Sequence, residues 1–127
     1  MQGNHLFEYA VIRVVPRVER EEFLNVGVVL YCRQMKFLRM MYSLDEVRLH
    51  AFCASLDVPE LQSYLAAFEK ICNGEKDGGP IARLDIASRF RWLTAMRSTV
   101  VQTSRVHPGL NGDPQAALTR LYEQLVL

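Results

Sequence analysis

The sequence predicts an α+β domain, an antiparallel sheet of about four strands with helices packed mainly on one face. Three observations carry this expectation. Three segments rich in β-branched and aromatic residues follow one another closely in the amino-terminal third. Apolar residues then recur at helical spacing through the middle of the chain. A fourth β-branched segment precedes a last helical stretch, and no alternating βαβ pattern points to a doubly wound nucleotide fold.

Phe7 to Val15 reads as a strand ending at Pro16, apolar on both faces and therefore central. Arg13 is the exception on one face. After the charged connection Arg17 to Glu22, Phe23 to Cys32 reads as the second strand. Gly27 within it predicts a bulge or a close backbone approach. Lys36 to Tyr42 reads as the third strand, and the short turn before it requires an antiparallel hairpin.

A short helix capped by Ser43 or Asp45 should run to about Cys53. Asp57 and Glu60 form a capping box for the next helix, with Pro59 in its first turn. Leu61, Tyr64, Leu65, Phe68, Ile71 and Cys72 give it one buried stripe, and Asn73-Gly74 ends it as a left-handed cap. Asp85 to Met96 reads as a third helix and Thr99 to Val106 as a strand returning to the sheet. Pro108 to Gly112 reads as a turn, and Asp113-Pro114 starts a last helix striped by Leu118, Leu121, Tyr122 and Leu125.

Residues 1–127 fit one domain, and half of them are hydrophobic, as a globular core needs. The net charge of +1 supplies no global field for nucleic acid or an anionic membrane. The positive charge is carried by twelve Arg against three Lys, a bias that codon usage alone can produce. No segment reaches the length of a membrane span, and Met1 to His5 lacks the basic and apolar regions of a signal peptide. These features predict a cytoplasmic chain without a membrane partner. Cys32, Cys53 and Cys72 fit no disulfide framework or zinc pair and are expected to be buried free thiols. His50 and Cys53 are three apart on a helix, but two ligands make no metal site, so neither metal nor cofactor is expected.

Two segments carry pointed chemistry. The first places Arg13 at a strand end, Arg17, Arg20 and Glu22 in the adjoining turn, and Asn25 and Gly27 on the next strand. Guanidinium forks bind anions there, and a glycine lets backbone N–H groups approach. The ordinary alternative is that Arg20 and Glu22 pair with each other or with Arg13 while Asn25 caps the turn. The second segment holds Arg89, Arg91 and Arg97 with Phe90 and Trp92 interleaved, a pattern that binds phosphates and stacks bases. Phe90 and Trp92 in a helical stretch are more often core, and the single Trp is the better core anchor. Arg97, Ser98 and Thr99 lie at a helix-to-strand junction where hydroxyls and backbone donors converge. His107, beside Pro108-Gly109, is a candidate acid or base, since histidine is the residue type suited to that role at physiological pH.

The run from Tyr9 to Tyr42, with Arg13, Pro16, Arg20, Glu22, Phe23, Asn25, Gly27 and Val28 in place, resembles the bacterial family catalogued as domain of unknown function 3037. Arg89 to Thr99 and His107-Pro108-Gly109 with Asp113-Pro114 extend the resemblance over most of the chain. The resemblance implies no assigned activity. It implies a partner only through gene neighbourhood, a HipA-like kinase.

Three functions follow as expectations. The leading one is a small non-enzymatic interaction module, with the HipA-like kinase as a possible partner. The alternative is a phosphate or nucleic-acid binding domain using Arg13, Arg17, Arg20, Arg89, Arg91 and Arg97, which requires the two segments to share a surface. The third is a phosphodiester hydrolase with Glu22 and His107 as acid and base.

Overall fold

The computed structural model describes residues 3–97 and 99–127. Strand β1 (His5–Val14) runs through the middle of the sheet, as its two apolar faces require. It pairs antiparallel with β2 (Leu24–Cys32), and β2 pairs antiparallel with β3 (Phe37–Tyr42) through the expected hairpin. The register shifts between Ile12 and Arg13: Ile12 faces Gly27 while Arg13 faces Asn25, so Val26 is the extra residue of a bulge. Gly27 sits against the third strand, where a Cβ would lie 2.7 Å from the Met41 carbonyl oxygen. Both expectations for this glycine hold.

Each α-helix is capped by an aspartate, and at the first it is Asp45 rather than Ser43. Asp45 accepts from the Arg48 N–H at the start of α1 (Glu46–Phe52). Asp57 accepts from the Glu60 N–H at the start of α2 (Val58–Asn73). Asp85 accepts from the Ser88 N–H at the start of α3 (Ile86–Leu93). Asp113 accepts from the Gln115 and Ala116 N–H groups at the start of α4 (Pro114–Leu125). Gly74 closes α2 at φ 66°. Helix α3 stops short of Met96, because Thr94 turns its hydroxyl back to the Phe90 carbonyl. Tyr64, expected in the buried stripe of α2, is 46% exposed.

The carboxy-terminal half of the sheet differs from the sequence reading. The strand expected over Thr99 to Val106 is confined to β4 (Val101–Thr103), and the turn expected at Pro108 to Gly112 is instead β5 (His107–Asn111). Both pair with the same edge of β1, one after the other, so the sheet has five strands in four lanes. Pro108 is tolerated because this is an edge strand, where a missing N–H costs no ladder bond on the solvent side. Gly109 serves packing: a Cβ there would lie 2.3 Å from Phe7 Cζ.

Helices α1, α2 and α3 cover one face of the sheet, burying Ala10, Ile12, Val29, Leu38 and Met40 against Leu49, Leu61, Leu65, Phe90 and Leu93. Helix α4 covers the other, where Phe7, Val28, Leu30 and Cys32 meet Ala117, Leu118 and Leu121. Helices are thus mainly, but not only, on one face. The two layers are joined at one end of the sheet. There Asn25 Nδ2 donates to the Leu125 carbonyl at 3.1 Å and Arg48 Nη1 donates to the Val126 carbonyl at 2.8 Å. No helix among the described residues is long and apolar enough to cross a membrane.

Candidate functional site

The corner between β1 and β2 follows from its sequence. Val18–Arg20 makes one 3-10 turn, and Glu21 at φ 55° reverses the chain. That reversal brings Arg20 Nε to 2.7 Å from Glu22 Oε1. The pair raises the arginine's pKa and lowers the carboxylate's, but both groups are open to solvent and the link is weak. Arg17, Arg20 and Glu22 face Phe52 and Cys53 at the end of α1 across an open cavity of about 440 Å³.

Arg13 points to the opposite side of the sheet from α1–α3, on the face of its cross-strand neighbours Asn25 and Gln102. Its guanidinium lies over the Phe23 ring, 3.9 Å from the centroid. Its Nε and the Asn25 Oδ1 are both buried without a hydrogen-bond partner among the described residues. Partial burial lowers the Arg13 pKa from the ordinary arginine value. Asn25 does not cap the turn. It holds the end of α4.

The second segment divides. Arg97 folds back on the end of α3, where Nη1 donates to the Leu93 carbonyl at 2.9 Å and Nη2 to that of Trp92. Its guanidinium stacks over Trp92 at 4.4 Å and Phe68 at 5.1 Å. Burial lowers its pKa. Arg89 Nη1 donates to the Leu84 carbonyl at 2.6 Å, and its guanidinium packs on Gly74. Arg91 lines a separate cleft with Tyr31, Arg33 and Lys36. Thr99 donates its hydroxyl to the Val101 carbonyl, and Ser98 lies outside the described residues. Phe90 is core, whereas Trp92 is half-buried at the surface.

The arginines therefore do not converge. Arg13 is on one face of the sheet, whereas Arg89 and Arg91 belong to α3 on the other and Arg97 folds back on the end of that helix. What does meet is smaller. Val100 borders both the hollow that holds Arg17 and Cys53 and an apolar groove of about 270 Å³ beside Arg97. Tyr64, Phe68, Ile71, Trp92 and Arg97 line that groove. Glu22 and His107 do not meet either. His107 stacks on Tyr9, its partner across the sheet. Glu22 lies beyond Leu24, the partner of Val14, and β1 from Tyr9 to Val14 spans roughly 16 Å at the rise of a strand.

Two features escape the sequence reading. Tyr64 lies at the rim of its helical stripe, and only the packing of α3 and β4 against α2 turns that rim into a groove. Cys53 is half-exposed rather than buried, because α1 ends there and the chain turns away. Its thiol lies 3.4 Å from the Ser55 hydroxyl, which lowers its pKa. Cys72, in the core, is pushed up to about 12 by burial. Among the described residues, no three His, Cys, Asp or Glu side chains are grouped to hold a metal.

No curated protein and no solved structure matches the chain. A family model described as "Protein of unknown function (DUF3037)" matches residues 9–126, which takes in every strand and helix just described apart from the first residues of β1. The chain belongs to that family.

Proposed function

We propose that the chain is a non-enzymatic protein-interaction module. The groove between α2, α3 and β4 carries the reading: it gathers a tryptophan, a tyrosine and an arginine around an apolar floor. Those three residue types dominate the binding energy of protein interfaces, where they sit in pockets that exclude water. The guanidinium of Arg97 is already satisfied by carbonyls and stacked on rings, so it offers a flat, preorganised surface rather than a free charge. The HipA-like kinase implied by the family resemblance is the first partner to test.

Titration calorimetry of the purified chain with that kinase, beside a pull-down from the native host, decides it. The expected result is a complex weakened about tenfold by Tyr64→Ala, a loss of about 1.4 kcal/mol. Tyr64 is exposed enough for that variant to fold. A complex indifferent to Tyr64→Ala, or no partner recovered by either method, would overturn the reading.

One observation favours a second reading, local anion capture at Arg13. Its half-buried guanidinium has no acid paired with it among the described residues, and a neighbouring Oδ1 is also unmatched. Phosphate titration followed by the Arg13 side-chain resonance tests it, and an unmoved signal sinks it.

A further inference from the structure

We infer that the end of the sheet left open by α1–α3, beside the start of α3, docks an acidic amphipathic helix of a protein partner. The inference rests on the interaction-module reading but uses a surface that shares no lining residue with the Trp92 groove.

Side chains on β1 alternate between faces. Ala10, Ile12 and Val14 share the face under α1–α3 and are buried. Toward the amino end the same face continues through Glu8 and Leu6, and both are exposed. Their partners on β5 are Pro108 and Leu110, exposed as well. Leu6 is 58% open and Leu110 65%, and the two are direct cross-strand neighbours. The helical layer thus stops at Phe90, whose ring meets Tyr31 at 5.3 Å. Beyond it lies sheet face with an apolar ridge and no cover from α1, α2 or α3. A sheet face of this kind is completed by one more helix.

The charge beside the ridge says what kind. Arg33, Lys36 and Arg91 line the cleft at Tyr31, and none is in an ion pair among the described residues. The one acid lining that cleft, Asp85, is committed to Ser88, whose hydroxyl and N–H it accepts. Glu8 is the acid on the ridge itself. The His5 Nδ1 to Gln34 Oε1 contact at 2.9 Å sets the β2–β3 turn, which carries Arg33 and Lys36, beside the start of β1, which carries Leu6. A partner helix would seat leucines on Leu6 and Leu110 and turn its acidic flank to the three cations. A second copy would set like charges against each other. A phosphate polymer would leave the leucines in water.

A display pool of helical peptides tests this, with leucines spaced three and four apart and glutamate or lysine on the flanks. Enrichment of the glutamate-flanked peptides is expected. Their binding, read by fluorescence anisotropy, should weaken about tenfold in Leu110→Asp and in Lys36→Glu/Arg91→Glu, and should fall with added salt. Tyr64→Ala should leave it unchanged, which separates this site from the groove. Circular dichroism confirms that each variant is folded, and the exposed positions make that the expected result. No enrichment, enrichment of lysine flanks, a stronger signal from a DNA duplex, or a dimer of the chain abolished by Leu110→Asp would each overturn the inference.

Discussion

Ser104 stands in for a strand residue against Val11: its N–H donates to the Val11 carbonyl at 2.8 Å, and its hydroxyl accepts the Val11 N–H, also at 2.8 Å. The main chain between β4 and β5 bends away from β1 at this point, and the side chain supplies the acceptor that the backbone no longer offers. Ser104 is buried, so water cannot take over the role. Ser104→Ala should leave the Val11 N–H unmatched and cost about 1–3 kcal/mol. Urea denaturation measures the loss, and hydrogen exchange should show the Val11 amide opening first. An unchanged midpoint would mean that the ladder closes without the hydroxyl.

Gly109 distinguishes a turn from a strand. In a turn, alanine at this position would be tolerated or strained by backbone angle alone. In β5 it drives a methyl group into the Phe7 ring. Gly109→Ala should therefore destabilise by about 1–3 kcal/mol. Adding Phe7→Leu should recover part of that loss, because the obstruction is the ring. Thermal melts of the single and double variants check both statements, and additive losses would refute the packing argument.

Local chemistry made most of the fold legible. Four aspartates mark four helix starts, because a short side-chain acceptor followed by apolar periodicity has few other uses. The hairpin and central strand follow from spacing and two-sided apolarity. Two of the failures share one cause, a residue whose role depends on a distant neighbour. Pro108-Gly109 has the composition of a turn, and only the Phe7 ring across the sheet makes it a strand. Asn25 has the composition of a cap, and only the end of α4 makes it a tether. The arginine segments were visible as charge, but which face each guanidinium occupies is set by a bulge and by helix packing, which no local pattern records.

The three thiols should react in a fixed order. Cys53 is half-exposed, and the Ser55 hydroxyl lowers its pKa, with a smaller contribution from the Arg17 charge. Cys72 is buried and pushed up to about 12, and Cys32 is buried. An aromatic disulfide reagent at neutral pH should therefore titrate one thiol quickly and the others at the rate of unfolding. Ser55→Ala should slow the fast thiol a few-fold without changing its count. Mass mapping that finds Cys72 labelled first would contradict the packing of α2.

Asp85 gives the start of α3 a pH dependence of definite sign. Its carboxylate accepts the Ser88 hydroxyl at 2.6 Å, which holds its pKa below the ordinary value of 3.8, with a lesser contribution from Arg91. A carboxyl whose folded pKa is depressed stabilises the fold fully above its unfolded value and loses that effect as pH falls through the folded value. Asp85→Asn keeps an acceptor for the cap but removes the charge. The wild-type chain should melt above the variant at pH 6, and the gap should narrow below about pH 4 as the carboxylate is protonated. The group is exposed, so the effect is small and added salt should shrink it further. Melting curves across that range measure it, and a gap that widens in acid would show that the charge at this cap opposes folding.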